Sequence, residues 1–353
     1  MQLNTLFEVL DIHEYFLYFL DIKTIATIIT LSKNQYNILH NIQFIRELYL
    51  MQEQHPIKIS KLIDYAAKYG YLSLIQWFDL SVNKFIYSVD AINWAAEEGH
   101  VRILEWFSDK YKFIYNCDAI DYAAEKGNVQ VLEWFSKSSH DFLYTHKAMD
   151  NASKNGHIRI LNWFANNNKF KYLYAIDLAC KYGHVDVLEW FWQSKKLYIY
   201  HLQAINFACE YGHIDVLEWF SNKNSVVCQF RYTEEAIDKA AANNHIKVLD
   251  WFDKSKYEFK YSRDAIDMAA SNNHIEVLEW FNNSRHEFKY SKNAIKFAHQ
   301  KGNIEILKWF YYSNREVEYI ISLSPGIIKG NKTMINITCF IFMGILFMAM
   351  IKN

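Results

Sequence analysis

An all-α solenoid is the fold class this chain predicts, and three observations carry that prediction. A Trp-Phe pair recurs nine times, at Trp77, Trp106, Trp134, Trp163, Trp190, Trp219, Trp251, Trp280 and Trp309. Successive tryptophans stand 29, 28, 29, 27, 29, 32, 29 and 29 residues apart. A period between about 20 and 50 residues belongs to a stack of small structural units rather than to a globule with one core. The third observation is a phased turn. Seven residues before every Trp sits a Gly (Gly70, Gly99, Gly127, Gly156, Gly183, Gly212, Gly302) or an Asn (Asn244, Asn273). Only these residues enter the left-handed conformation cheaply, so the column marks a helix C-terminus.

In chain order, residues 1–56 come first. They end at Pro56, which with Pro325 makes up all the proline of the sequence. Proline stops helices, so the two residues bracket the array. The segment Phe19-Leu20-Asp21-Ile22-Lys23-Thr24-Ile25-Ala26-Thr27-Ile28-Ile29-Thr30-Leu31-Ser32-Lys33 resembles the second half of an F-box. That motif docks substrate receptors onto a cullin-type ubiquitin ligase, and the Leu-Pro that opens it is missing here. The resemblance implies an apolar docking face carrying Phe19, Leu20, Ile25 and Ile28. The competing reading is a plain helical cap, which every solenoid needs over its first apolar face. Glu8, Asp11 and Glu14 interrupt the apolar start, which argues against a secretory signal.

Residues 57–319 form the array. In the unit Asp118-Ala119-Ile120-Asp121-Tyr122-Ala123-Ala124-Glu125-Lys126-Gly127-Asn128-Val129-Gln130-Val131-Leu132-Glu133-Trp134-Phe135, the apolar residues before Gly127 share one face of a helix of two to three turns. Small alanines let that helix lie close to its neighbour. Val129 to Phe135 is apolar on nearly every side, as a helix between two neighbours requires. Asp90, Asp118 and Asp264, each with Asn93, Asp121 or Asp267 three positions on, read as a capping box at the first helix. A Phe-x-Tyr pair such as Phe113/Tyr115 or Phe259/Tyr261 reads as a short extended connector. Helices this short are marginal alone, so removing one buried Trp or Phe should cost about 3–5 kcal/mol.

The unit, and more plainly Ala179-Cys180-Lys181-Tyr182-Gly183-His184-Val185-Asp186-Val187-Leu188, resembles the ankyrin repeat. That family's pattern is Thr-Pro-Leu-His-x-Ala-Ala-x-x-Gly-His-x-x-Ile/Val-Val-x-x-Leu-Leu. The likeness covers residues 58 to about 319. The chain departs from the pattern in three ways: no Thr-Pro start, Trp-Phe for Leu-Leu, and a period shorter than the family's usual 33 or so. Its Trp-Phe-rich units look most like those of ankyrin proteins encoded by giant DNA viruses of amoebae. The resemblance implies an all-α solenoid of about nine short helix-turn-helix repeats that binds a host or viral protein in the host cytoplasm.

Residues 320–353 are a tail in which Ile335 to Ile351 carries no charge. Seventeen residues is the lower limit for a membrane-spanning helix, so a tail anchor and a greasy helix on the last repeat are both open.

Composition points away from chemistry. With formal net charge −1, the chain has no electrostatic bias towards nucleic acid. Its five cysteines include no Cys-x-x-Cys, so buried thiols in a reducing compartment are expected. His100, His157, His184, His213, His245 and His274 recur in one column and read as backbone partners at the turn, too far apart to share a metal. Glu105, Glu133, Glu189, Glu218 and Glu279 read as the solvated side of the second helix. No catalytic, metal or cofactor motif is present, and the expectation is a non-enzymatic scaffold; a ligase adaptor and a passive structural or membrane-anchored protein are the alternatives. Variable positions after the paired alanines carry the expected partner surface: Glu97, Glu98, Glu125, Lys126, Lys181, Tyr182, Glu210 and Tyr211. Varied side chains on a fixed scaffold are what selective recognition requires.

Overall fold

The turn column sets the architecture. In the computed structural model every one of the seven array glycines, together with Asn244 and Asn273, has positive φ, so each ends one short helix and lets the chain double back into the next. Residues 61–81, 85–194, 200–223, 228–313 and 315 are described. The docking face expected at Phe19, Leu20, Ile25 and Ile28, and the apolar segment 335–351, lie outside the described residues.

The described residues are all-helical, with no strand among them, and hold eighteen helices joined in consecutive pairs. The chain divides into two units that meet between Ala175 and Ile176. The first unit contains the pairs α1 (Leu62–Lys68) and α2 (Leu72–Ser81), α3 (Val89–Glu97) and α4 (Val101–Lys110), α5 (Asp118–Lys126) and α6 (Val129–Lys137), α7 (Lys147–Lys154) and α8 (Ile158–Asn166). From α9 (Ala175–Tyr182) onwards the second unit holds α10 (Val185–Gln193), α11 (Gln203–Glu210), α12 (Ile214–Lys223), α13 (Glu235–Ala242), α14 (Ile246–Lys254), α15 (Asp264–Ser271), α16 (Ile275–Asn283), α17 (Lys292–Lys301) and α18 (Ile304–Tyr312).

Within each unit the first helices of successive pairs pack more intimately than the second helices do. Side-chain size explains the difference, because interaxial distance follows the residues at the contact. The first helices meet through fully buried alanines such as Ala95, Ala96, Ala123 and Ala124. The second helices are held apart by Phe107, Phe135 and Phe164 in one unit and by Phe220, Phe252 and Phe281 in the other, all essentially inaccessible. The tryptophans beside them sit at the margin of this core: Trp106 and Trp219 are 8% exposed, and Trp134, Trp251 and Trp280 are only half-buried. Of the Trp-Phe pair, the phenylalanine is therefore the more deeply buried residue.

Asn93, Asp121 and Asp267 do not form a capping box, contrary to the reading of their spacing. Caps come from the residue two before the expected Asp: the N–H of Asp90 donates to Ser88 Oγ at 3.2 Å, that of Asp118 to Asn116 Oδ1 at 2.9 Å and that of Asp264 to Ser262 Oγ at 3.1 Å. The position three residues into the helix lies on its buried face, against the following connector. Its side chain reaches the next pair instead. Asp121 accepts the Thr145 N–H at 2.9 Å and its hydroxyl at 2.6 Å; Asp64 does the same for Ser88, Asp238 for Ser262, and Asp267 for Ser291. Each cap residue thus satisfies its own helix and the preceding one at once, and few polar groups at these joints go unpaired.

A second ladder runs through the connectors. The hydroxyls of Tyr87 and Tyr115 donate to the carbonyls of Lys112 and Asp141, and those of Tyr200, Tyr232 and Tyr261 to Gln229, Glu258 and Glu287. The connector phenylalanines stack on the second-helix tryptophans, Phe142 on Trp163 at 5.1 Å and Phe259 on Trp280 at 5.5 Å between centroids.

A third contact accounts for three histidines of the column. His100 Nε2 lies 3.0 Å from the Lys68 carbonyl, and in the second unit His213 and His245 reach Lys181 and Glu210 in the same way. The imidazole caps the C-terminus of the preceding first helix, and its ring covers that helix's turn glycine. A Cβ added at Gly212 would stand 2.7 Å from the His245 ring, whereas one at Gly302 meets nothing within 4 Å. Gly212→Ala should therefore lose about 1–2 kcal/mol from the left-handed backbone alone, with a further loss as His245 is displaced. Gly302→Ala should lose only that backbone cost. Denaturant midpoints of the two variants provide the check; equal losses would mean that the histidine contact carries no weight.

Candidate functional site

Each first helix exposes one stripe. In α5 the residues Ala119, Ile120, Asp121, Ala123 and Ala124 are buried, which leaves Asp118, Tyr122, Glu125 and Lys126 facing outward at spacings of three and four residues, hence on one side. The expected partner residues fall on this stripe, at the C-terminal ends of α3 and α5 in the first unit and of α9 and α11 in the second.

In the first unit Glu97 is half-buried and Glu98 exposed. Lys126 Nζ lies 3.8 Å from Glu97 Oε1 and 3.6 Å from Glu98 Oε1, so one lysine bridges both carboxylates across the pair boundary. Burial, opposed by Lys126, raises the Glu97 carboxyl above its ordinary value. Glu125 is held by the next pair: its carboxylate accepts from Asn151 Nδ2 at 2.9 Å and from Lys154 Nζ at 3.2 Å. In the second unit Lys181 Nζ lies 5.7 Å from the centroid of Tyr182, 5.6 Å from that of Phe207 and 5.1 Å from that of Tyr211. Glu210 pairs with Lys239 at 3.1 Å. Tyr182 and Tyr211 keep 42% and 44% of their surface exposed.

These side chains are less free of the packing than their sequence variability implies. Most pair with the neighbouring helix, although pairs this exposed are worth only about 0–1 kcal/mol each. The sequence reading also passed over a column. Immediately before the alanine pair stand Trp94, Tyr122 and Asn151 in the first unit and Leu178, Phe207, Lys239 and Met268 in the second, all at least partly exposed. They lie one turn from the predicted residues on the same stripe and supply its large apolar area. Tyr65 and Trp94 rings approach to 5.2 Å, with Lys68 Nζ 5.3 Å from the Trp94 ring. The signal was there to be read: a position that varies between Trp, Asn and Lys beside invariant alanines is exposed.

The groups with chemical potential are occupied elsewhere. Cys180 and Cys209 are fully buried in the second-alanine column, where desolvation pushes both thiols well up; Cys228 is also buried and Cys117 half-buried. The described residues contain no group of three His, Cys, Asp or Glu side chains placed to hold a metal ion. Of the second-helix glutamates, Glu105, Glu133, Glu218 and Glu279 are exposed, whereas Glu189 accepts from Trp219 Nε1 at 2.8 Å. No helix among the described residues is long and apolar enough to cross a membrane. The chain matches no protein-family model and no curated protein.

Proposed function

We propose that this chain is a non-enzymatic protein-binding scaffold of ankyrin type, encoded by a virus and acting on a host or viral protein. The observation that supports this reading is the stripe on the first helices. Residues of differing charge and size, among them the partly exposed Trp94 and Tyr122 and the exposed Tyr182 and Tyr211, stand at positions that the repeated helix packing fixes. A partner laid along the stripe of either unit would touch several of that unit's residues at once, and aromatic anchors carry most of the affinity in such contacts.

Glu97, Glu98 and Glu125 are the residues to change first. Reversing all three to Lys should weaken partner capture by about tenfold or more. Thermal stability should fall by no more than a few degrees, because the ion pairs these residues make are worth only about 0–1 kcal/mol each. The measurement is crosslinking capture by the full chain and its variant, with melting followed by circular dichroism. Capture that survives this change but is lost on altering Tyr115, Tyr144 and Tyr172 would move the binding face to the connectors.

A further inference from the structure

The second helices of the second unit carry a feature that the first-helix stripe does not account for. Between α12 and α14 lies an open groove of about 580 Å³ whose walls include Ile214, Ser221, Trp251, Lys247, Lys254 and Lys256. All three lysines are exposed, and none forms an ion pair with the described residues. The one carboxylate in the groove, Asp250, is engaged by Trp280 Nε1 at 2.7 Å. Trp251 is held rigid, stacked on Phe230 at 5.5 Å and on Tyr257 at 5.9 Å.

This concentration of positive charge is particular to one pair. The position of Lys247 is filled in the other pairs by Ser73, Arg102, Gln130, Arg159, Asp186, Asp215, Glu276 and Glu305. The positions of Lys254 and Lys256 carry uncharged or acidic residues in most pairs, and no other pair places lysine at all three. The period also lengthens to 32 residues just before Trp251. Three lysines without an ion-pair partner among the described residues, against the one carboxylate of Asp250, surround a stacked indole in a chain of net charge −1 and depart locally from both the repeat pattern and the overall charge.

We propose that this groove docks an acidic peptide segment of a partner protein, independently of the first-helix stripe. Lys247 and Lys254 lie two turns apart on one face of α14, roughly 10 Å along the axis. In an extended chain only side chains two or four residues apart share a face, about 7 or 14 Å at 3.4 Å per residue, and these spacings bracket the lysine separation within reach of their flexible stems. The aliphatic stems of the lysines and the Trp251 face would cover the peptide backbone between them.

The test uses a fluorescein-labelled nona-glutamate peptide and the full chain, followed by fluorescence anisotropy at low ionic strength, where such contacts are least screened. Saturable binding should weaken by about tenfold or more when Lys247, Lys254 and Lys256 are changed together to Gln, and should persist when they are changed to Arg. Changing Lys112, Lys137 and Lys147 to Gln alters net charge equally and should leave binding within about twofold. Circular dichroism verifies that each variant keeps its helix content. Absence of saturable binding, equal weakening by the control triple, or tighter binding of an oligothymidylate through the same three lysines would overturn the proposal. None of these outcomes bears on capture by the first-helix stripe, which is read from Glu97, Glu98 and Glu125.

Discussion

Asp121→Ala should destabilise the first unit by about 3 kcal/mol, and Asp121→Asn by less than about 1 kcal/mol. The alanine variant removes two short bonds and leaves the Thr145 N–H without its acceptor. The asparagine variant has natural precedents. At the same position Asn93 accepts the Asn116 N–H and donates to Asn116 Oδ1 at 2.7 Å, and Asn206 accepts the Thr233 N–H while donating to Thr233 Oγ1 at 2.7 Å. A hydroxyl can exchange its role from donor to acceptor, so the joint closes with either side chain. The pair of variants also reads the charge. Burial raises the Asp121 carboxyl above 3.8 despite the two Thr145 bonds that lower it. A carboxyl raised in the folded state binds its proton more tightly there. Its contribution is therefore fully present below the ordinary value and lost as pH rises through the raised one. The parent should gain stability relative to Asp121→Asn as pH falls through that window, the reverse of the usual acid lability. A parent that loses ground to the variant on acidification would show that the hydrogen bonds outweigh the desolvation.

The second large effect is expected at Phe252. Phe252→Ala should cost about 3–5 kcal/mol, whereas Trp251→Ala should cost at least about 1 kcal/mol less although it deletes the larger ring. Phe252 is 1% exposed and meets Tyr232 at 5.0 Å and Trp251 at 5.1 Å between centroids. Trp251 turns one flank to the groove, so its removal leaves a dent that water fills rather than a closed cavity. Urea midpoints for the two variants decide the order, and a larger loss for tryptophan would make it the core residue after all.

That order is one thing the sequence could not convey. Both members of the Trp-Phe pair are apolar, and adjacent positions on a helix differ by about 100°, so composition alone cannot say which faces inward. The helix pairs and their boundaries were legible because Gly and Asn at positive φ leave an unmistakable mark in the primary structure. Asp121 was misread for a physical reason: a carboxylate three residues into a helix suits a capping box and a bond to the next pair equally, and only the neighbour 24 residues away decides. Of the candidate site, the turn-end residues were recoverable from their variability. Their pairing with Lys126, Lys154 and Lys239 was not, since it depends on the register between helices. Trp94 and Tyr122 could have been found by the same criterion, applied one position earlier.

The tyrosine, histidine and aspartate ladders share a property that shows under tension. The bonds that join one pair to the next within a unit span between 22 and 36 residues of sequence. Among the described residues no hydrogen bond ties a pair to one farther along, so no clamp distributes load over the whole. Under tension the pairs would yield one at a time. Each release would add roughly 100 Å of slack, from 29 or so residues at about 3.5 Å each. Such an array lengthens by steps and re-forms by steps.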